Sequence, residues 1–179
     1  MRRAAVLATP VVVLASLLAG SAQATTSPRQ LYRALLKAVP AASLPPALEG
    51  SKTHSAPLSR GSRTHNAVGA VEIGNGQAIV GYLVFPTHAL AVGDLKAFPP
   101  NTGPNKVVTR HLAGFPTPLY VIHAERNGYE ASYVIFVLDN VLVNSWSYGA
   151  KGSSSQLLAV VKRDARWAKD HVLHVMRSG

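Results

Sequence analysis

Residues 119–148 read LYVIHAERNGYEASYVIFVLDNVLVNSWSY and carry the clearest β-sheet signal in the chain. Three runs rich in Val, Ile, Leu and Tyr are separated by the polar pairs Asn127-Gly128 and Asp139-Asn140. Asn-Gly between apolar runs is the strongest short hairpin signal, because both residues tolerate the positive φ angles of a tight turn. The stretch therefore predicts a meander of three antiparallel strands. The strands are Leu119 to Arg126, Tyr129 to Leu138 and Val141 to Tyr148.

The middle strand of this meander is apolar at every position from Tyr133 to Leu138. A strand with one solvated face alternates apolar and polar residues, so a continuous apolar run is typical of a strand covered on both faces. The second cover is either another element of this chain or a neighbouring subunit. The sequence leaves both alternatives open.

A second hairpin is predicted around VEIGNGQAIVGY, from Val71 to Tyr82. Gly-Asn-Gly here lies between two apolar runs, Ala67 to Ile73 and Gln77 to Phe85. A phosphate-binding dinucleotide loop is the alternative, but that loop needs a third glycine and a helix directly after it. Because β-branched and aromatic residues follow instead, we interpret the three residues as a turn.

Three helices are predicted from capping residues and apolar spacing. Ser27-Pro28 begins an amphipathic helix that ends before Pro40. Thr87 is expected to cap a short helix that reaches Phe98. From Ser153 to about Met176, apolar residues recur at steps of three or four, which is the core stripe of a long amphipathic helix.

The segment from Pro40 to about Asn66 is rich in Pro, Ser, Gly and Thr and predicts an irregular surface segment. Weaker strand patterns lie at Lys52 to Ala56 and at Lys106 to His111. The main elements follow the order α-β-β-α-β-β-β-α. This order predicts an α+β domain in which an antiparallel sheet of about five strands packs against a long C-terminal helix and shorter helices.

The first 24 residues have the three zones of a secretory signal peptide. Arg2 and Arg3 precede an uncharged apolar stretch, Ala4 to Leu18, and Ala22-Gln23-Ala24 matches an Ala-x-Ala processing site. A membrane anchor is the alternative, but a spanning helix needs about 20 continuous apolar residues and this stretch is shorter. We expect cleavage after Ala24 and export of residues 25–179, with no transmembrane anchor on the mature chain.

Removing those 24 of the 179 residues leaves 155, enough for one domain with a single core. The domain divides into a helix at 25–39, the irregular segment at 40–66, and the sheet with its helices at 67–179. The chain has no cysteine, which excludes disulfides, thiolate zinc sites and a cysteine nucleophile.

Loss of Arg2 and Arg3 lowers the net charge from +10 to +8. A basic surface favours an anionic envelope polymer or a lipid surface as partner, and solubility alone is the alternative reason for the charge.

An anion-binding loop is predicted at Lys151, Gly152 and Ser153, where a strand leads into the long helix. Backbone N–H groups and the positive end of the helix dipole favour an anion at such a position, and Lys151 adds a charge. The alternative is an ordinary glycine turn in which a serine caps the helix. The full P-loop pattern is absent.

A basic face on the same helix combines Lys162, Arg166 and Lys169, with Arg163 nearby. Such a face binds phosphates or lipid headgroups, or it is only the solvated side of a surface helix. No aromatic residue interleaves with these charges to stack on a base, so we expect no specific nucleic-acid binding.

A further stripe on the last helix contains Asp164, Trp167, His171 and His174, which fall on one flank at about 100° per residue. Two histidines three apart can share a metal ion, but the usual helical zinc motif HExxH is absent and another ligand would be needed. Histidines in the last turn of a helix also stabilise it without a metal. We therefore assign no metal ligand.

The remaining histidines are scattered, and no complete catalytic motif is present. No G-x-S-x-G elbow occurs, and the carboxylates are spread thinly along the chain, which disfavours a serine hydrolase and a two-carboxylate glycosidase. His123 is expected to be a packed histidine rather than a base. We predict no catalytic or cofactor-binding residue and no cofactor. The other dispersed histidines are His54, His65, His88 and His111.

Four short pieces of the chain resemble small secreted actinobacterial proteins of unknown function. These share a Leu-Pro-Pro loop, a hairpin ending in Val-Phe and a C-terminal helix, although this chain lacks their cysteines in the later strands. The resemblance implies export and an α+β fold and transfers no functional residue. The pieces are Leu44-Pro45-Pro46, Gly69 to Glu72, Tyr82 to Pro86 and Gly114-Phe115-Pro116.

Two functional hypotheses follow from the sequence. The first is an exported, non-catalytic domain that binds an anionic or apolar envelope ligand, either through the basic helix face and Lys151 or through an apolar pocket between sheet and helices. The second is a secreted hydrolase or metal-dependent enzyme whose site is assembled from dispersed histidines. The sequence does not determine the oligomeric state.

Overall fold

The computed structural model describes residues 26–37, 39–58, 66–97, 106–126, 129–150 and 153–178. The predicted signal peptide, the Asn127-Gly128 turn, Lys151 and Gly152 lie outside the described residues. The helices are α1 (Pro28–Leu35), α2 (His88–Ala97) and α3 (Ser154–Ser178). The strands are β1 (Lys52–Ala56), β2 (Gly69–Gly74), β3 (Ala78–Val84), β4 (Lys106–Thr109), β5 (Leu119–Arg126), β6 (Tyr129–Leu138) and β7 (Val141–Ala150).

The strands form one antiparallel sheet in the order β1-β2-β3-β7-β6-β5-β4, which confirms the predicted α+β class. The sheet has seven strands in the described residues, two more than the five main strands expected. The two additional strands are β1 and β4, which coincide with the weaker sequence patterns and lie at opposite edges of the sheet. Both are short, and a short edge strand has few exposed backbone groups to pair with another chain.

The three predicted hairpin pairings, β2–β3, β5–β6 and β6–β7, are all present as antiparallel pairs. Strands β2 and β3 pair in register from Gly69 opposite Val84 to Gly74 opposite Ile79, so Gly-Asn-Gly forms a turn and not a phosphate loop. Gly76 in that turn has φ +90°, and Asp139 between β6 and β7 has φ 52°. These positive angles are the ones that tight hairpin turns require.

Strand β6 is buried on both faces, as its continuous apolar run predicted. Val134 and Phe136 point to the face covered by α3, here called the α3 face, and are fully buried. Ile135 and Val137 point to the opposite face, here called the α2 face, where they pack with residues of α2. Both covers therefore come from this chain.

Helix α3 crosses the centre of the sheet and buries a stripe of small and medium apolar side chains. The alanines at two of the central positions let the helix approach β6 and β7 closely, and Ser145 in β7 donates a hydrogen bond to the Val161 carbonyl on α3 (3.3 Å). The buried apolar stripe is Leu157, Val161, Ala165, Ala168 and Val172.

Helix α1 packs beside α3 on the same face of the sheet. Ser27 and Gln30 form a reciprocal capping box, which satisfies two backbone N–H groups at the start of the helix. The helix ends at Leu35, earlier than the predicted end before Pro40, and two short 3-10 turns follow at Ala41–Ser43 and Pro46–Leu48.

Helix α2 begins as predicted, because the Thr87 hydroxyl accepts a hydrogen bond from the Leu90 backbone N–H (3.3 Å). Its residues Ala91 and Leu95 are fully buried against the α2 face. The predicted end of this helix at Phe98 lies outside the described residues. Among the helices that the structure describes, none is both long enough and apolar enough to span a membrane.

Replacement of Leu35 by Ala tests how strongly α1 is held. Leu35 is 0% exposed in the core between α1, α3 and the sheet, so the substitution leaves a cavity and should lower the free energy of unfolding by about 2–5 kcal/mol. Leu90→Ala is the control, because Leu90 is 38% exposed and should change stability by less than about 1 kcal/mol. Urea unfolding measures both; equal effects of the two substitutions would contradict the packing of α1.

A candidate ligand pocket between the first and last helices

A pocket of about 490 Å³ opens between α1, the segment that follows it, and the C-terminal half of α3. It lies beside the hydrophobic core of the α3 face, and most of its wall is apolar with a small number of polar groups. Ligand sites in proteins commonly have this composition and lie between packed helices. The lining residues are Ala34, Lys37, Val39, Pro40, Ser43, Trp167, Asp170, His171, His174 and Val175.

Three residues of the predicted stripe on α3 meet in this pocket. Trp167, His171 and His174 are spaced by four and three, so they lie on one side of the helix and face α1. The fourth member, Asp164, does not line the pocket. Its side chain is 2% exposed, and Oδ1 accepts a hydrogen bond from Nε of Arg163 (3.2 Å).

The environment of Asp164 explains why a carboxylate is tolerated in the core. Burial raises the pKa of Asp164, while the hydrogen bond and the positive charge of Arg163 act in the opposite direction and favour the ionised form. The Arg163 side chain is 48% exposed, so its charge reaches solvent while its Nε holds the carboxylate. Asp164 is therefore paired within α3 itself and is not one of the residues that line the pocket.

The base of the pocket contains a hydrogen bond between His171 and the sheet. The hydroxyl of Tyr82, a fully buried residue of β3, lies 3.0 Å from Nδ1 of His171. Burial raises the pKa of Tyr82, so the hydroxyl keeps its proton. Among the described residues, the His171 imidazole is the hydrogen-bond partner of the Tyr82 hydroxyl. A buried hydroxyl needs a hydrogen bond, so Tyr82 donates its proton to Nδ1 of His171. In the neutral ring the proton is then on Nε2, which is left as a donor.

Two aromatic contacts fix the orientation of the His171 ring. Trp167 stacks on it with ring centroids 5.2 Å apart and an interplanar angle of 24°. Tyr82 approaches it edge-on, with centroids 5.7 Å apart and an angle of 63°. A polar side chain held from two sides presents its free nitrogen in a defined direction. The spacing of residues in the sequence does not show that the His171 ring is held in this way.

The pocket also affects the charge of His171. Burial lowers the pKa of His171, and the neighbouring His174 lowers it further when that residue is protonated. His171 is therefore neutral at neutral pH, and Lys37 contributes a positive charge to the wall. Asp170, on the exposed side of α3, contributes a negative charge. The arrangement offers an apolar volume with a cation and imidazole donors, balanced by one carboxylate.

Of the residues predicted for anion binding, the structure describes Ser153, Lys162, Arg166 and Lys169, and none of these four lines the pocket. The Ser153 hydroxyl donates to the carbonyl of Ala150, just before α3 begins. Lys169 donates to the Gly114 carbonyl at 2.6 Å, and its ammonium lies 5.5 Å from the centroid of the Phe115 ring. That lysine therefore attaches α3 to the Gly-Phe-Pro loop.

The other residues predicted for anion binding are Lys162, Arg166, Lys151 and Gly152. Lys162 is half-buried and Arg166 is exposed on α3. Lys151 and Gly152 lie outside the described residues, so the predicted anion loop stays a prediction.

The other histidines are dispersed over the fold. His54 in β1 lies 3.6 Å from the Glu72 carboxylate, and His88 Nδ1 lies 2.6 Å from the Asp139 carbonyl. His123 on β5 faces Ser132 of β6 across the strand pair. In the described ranges, no three His, Asp or Glu side chains are grouped so that they could hold a metal ion. His65 lies outside these ranges.

Sequence reasoning missed the half of the pocket that comes from the N-terminal part of the chain. Lys37 and the segment from Val39 to Ser43 carry no motif, and only the folded chain places them opposite α3. Tyr82 is also absent from the predicted sites, since an aromatic residue in an apolar strand is ordinary core material. Its partner His171 is 89 residues away.

Comparisons with known proteins do not identify the chain. No family model matches it, and no curated protein matches it. Among solved structures, it is similar to the crystal structure of the extracellular domain of PknH from Mycobacterium tuberculosis, with 12% sequence identity and a TM-score of 0.41. The similarity covers 82% of this chain and 99% of that chain. A likeness this distant does not assign a ligand or an activity.

The lowered pKa of His171 predicts a dependence of stability on pH. The unfolded chain binds a proton near the ordinary histidine pKa of 6.5, whereas folded His171 resists protonation until a lower pH. Stability should therefore fall as the pH drops below about 7, and this contribution should level off below the folded pKa. Urea unfolding from pH 5 to 8 should show a weaker acid loss in His171→Gln than in the unmodified protein. His111→Gln, outside the pocket, should keep the full loss; an unchanged loss in His171→Gln would contradict the assignment.

Proposed function

We propose that this chain is an exported, non-catalytic domain that binds an apolar ligand bearing an anionic group. The observation that carries the proposal is the pocket between α1 and α3, in which Trp167 and His171 are held in fixed positions. The signal-peptide pattern of residues 1–24 and the resemblance to small secreted actinobacterial proteins support export. The pocket supports binding of a discrete molecule and not only of a charged surface.

The chemistry of the pocket wall defines the ligand class. Ala34, Val39, Val175 and the Trp167 ring supply apolar surface, which favours a hydrocarbon or aromatic body. Lys37 supplies a positive charge, and an anionic group paired with it gains a charge-assisted hydrogen bond. Asp170 disfavours a ligand with several negative charges. A singly charged amphiphile fits this combination best.

An alternative route to envelope binding uses the basic face of α3. Lys162 and Arg166 would contact an anionic polymer or lipid surface, with the Lys151-Gly152-Ser153 junction as a second anion site. Lys169 contributes less to this face, because its ammonium already donates to a carbonyl. The two routes use different residues, so substitutions separate them.

The alternative of a metal-dependent enzyme centres on His171 and His174. It predicts that purified protein contains a metal ion and loses it when both histidines are replaced by Ala. The Tyr82–His171 hydrogen bond occupies one nitrogen of the first histidine. Any metal would therefore bind Nε2 of His171 and would need further donors, because the described His, Asp and Glu side chains form no group of three that could hold it.

The binding proposal is tested with the fluorescent fatty acid 11-(dansylamino)undecanoic acid. The protein should bind it with blue-shifted emission, because the dansyl group leaves water. Ala34→Trp should lower the affinity at least about tenfold by filling the pocket, and Lys37→Glu should lower it by about tenfold through loss of the cation.

The matched control is the double substitution Lys162→Glu, Arg166→Glu, which also reverses charge but lies outside the pocket. It should bind the probe within about twofold of the unmodified protein. Loss of binding only in this control would favour the basic face. Absence of binding by the folded protein would contradict the pocket proposal.

Export is tested separately by mass spectrometry of the natural protein. We expect the protein recovered from the envelope or culture fluid to begin at Thr25, because signal peptidase cleaves after the Ala-x-Ala site. Intact protein beginning at Met1 in the cytosol would contradict export without affecting the pocket proposal.

A further inference from the structure

A second feature lies on the opposite side of the sheet, where α2 covers only part of the α2 face. Beyond that cover, neighbouring strands place Tyr133 of β6 directly opposite Trp146 of β7, and Tyr148 follows two positions later on the same face. Tyr148 is 40% exposed, and Tyr129 at the end of β6 is 62% exposed. Large aromatic residues exposed together are uncommon on a surface that has no binding role.

The three central rings form a continuous ladder. The centroids of Tyr133 and Trp146 are 6.1 Å apart, those of Trp146 and Tyr148 are 5.7 Å apart, and both pairs are inclined by 23°. Ring–ring stacking restricts the motion of each side chain, so the exposed part of the ladder is a preorganised apolar surface. Binding of a ligand to this surface therefore costs the protein little conformational entropy.

A hollow of about 250 Å³ continues from this ladder across β2, β3 and β7. Its centre is Gly81, where a Cβ atom would meet no neighbour closer than 3.9 Å. Glu72 lies opposite Gly81 on one neighbouring strand, and Asn144 lies opposite it on the other. The hollow exists because the central residue has no side chain.

The polar groups of the hollow point to a ligand. Oδ1 of Asn144 is buried and has no hydrogen-bond partner within the described structure. A buried carbonyl oxygen without a partner is unfavourable, and a ligand donor that reaches it removes this cost. Glu72 presents a second acceptor, with His54 3.6 Å from its carboxylate. Glu72 therefore accepts hydrogen bonds from a ligand that supplies donors, and Oδ1 of Asn144 accepts one where a ligand donor reaches it.

The hollow and the ladder are contiguous. Asn144 and Trp146 are two residues apart on the same face of β7, and Ile79, which lies opposite Trp146, is two residues from Gly81. An elongated molecule can therefore occupy both. The described side chains that line the hollow include no Lys or Arg, so none of them offers a cation to an anionic ligand.

We propose that this surface binds an uncharged oligosaccharide, with a terminal sugar in the hollow over Gly81 and the following sugars along the aromatic ladder. Sugar hydroxyls supply the donors that Asn144 and Glu72 accept, and the C–H faces of sugar rings pack on aromatic rings. A cationic ligand is less suited, because Glu72 already has His54 beside it. This site is distinct from the pocket between α1 and α3.

The test uses isothermal titration calorimetry with four neutral tetrasaccharides: cellotetraose, chitotetraose, mannotetraose and galactotetraose. We expect the protein to bind at least one of them. Gly81→Val should lower that affinity at least about tenfold by filling the hollow, while the fold tolerates it because space is present and Val favours strands. Trp146→Ala should also lower the affinity at least about tenfold.

The control variant is Ala34→Trp, which fills the other pocket and should leave tetrasaccharide binding within about twofold. Circular dichroism melting checks that each variant is folded, and Gly81→Val keeps the test valid if Trp146→Ala is unstable. The proposal is overturned if the folded protein binds none of the four sugars, or if Gly81→Val binds as well as the unmodified protein. Binding of a proline-rich or cationic peptide in place of all four sugars would also overturn it.

Discussion

The packing of α3 across the sheet is the constraint on which the rest of the structure depends. Its apolar stripe lies on the most buried strands, and Ala165 and Ala168 at its centre permit a close approach. With that stripe fixed, Trp167, His171 and His174 are directed toward α1 by helical geometry alone. The hydrogen bond from Tyr82 to His171 then joins the helix to β3. The pocket is therefore a consequence of how the core is packed.

The two faces of the sheet are used differently. The α3 face is covered by two helices, and its binding volume lies between them, where charge and imidazole groups surround an apolar space. The α2 face is covered by one short helix, which leaves an aromatic surface and a shallow hollow beside it. The aromatic residues of both sites lie on regular elements, Trp167 on α3 and the ladder on β6 and β7, and such elements hold side chains more precisely than loops do. The two proposed ligands, an anionic amphiphile and a neutral oligosaccharide, differ because the two faces differ.

Much of the fold could be predicted from the sequence because the relevant signals are local. Asn127-Gly128, Gly74-Asn75-Gly76 and the apolar run of β6 specify hairpins and a doubly covered strand through backbone angles and burial. The count of strands was too low, since β1 and β4 are short edge strands with weak apolar patterns. The predicted end of α1, before Pro40, was also too late. The apolar spacing in the sequence continues past Leu35, but the helix ends there.

The candidate site was only half predictable. Helical spacing groups Trp167, His171 and His174, but the same rule also included Asp164, which is buried and paired with Arg163. The spacing of residues along one helix does not show which of them face the sheet. Likewise, Lys169 belongs to a basic face by spacing, yet it donates to the Gly114 carbonyl from a loop 55 residues away. Such long-range partners follow from tertiary packing, which a single sequence does not display.

The central claim is that the pocket between α1 and α3 receives the apolar ligand, and the two tryptophans allow a direct measurement. Trp167 lines the pocket, whereas Trp146 lies in the aromatic ladder on the other face of the sheet. Titration of ¹⁵N-labelled protein with dodecanoate should shift the indole N–H signal of Trp167 and leave that of Trp146 in place. A shift confined to Trp146, or no shift of either indole at saturating dodecanoate, would contradict the account.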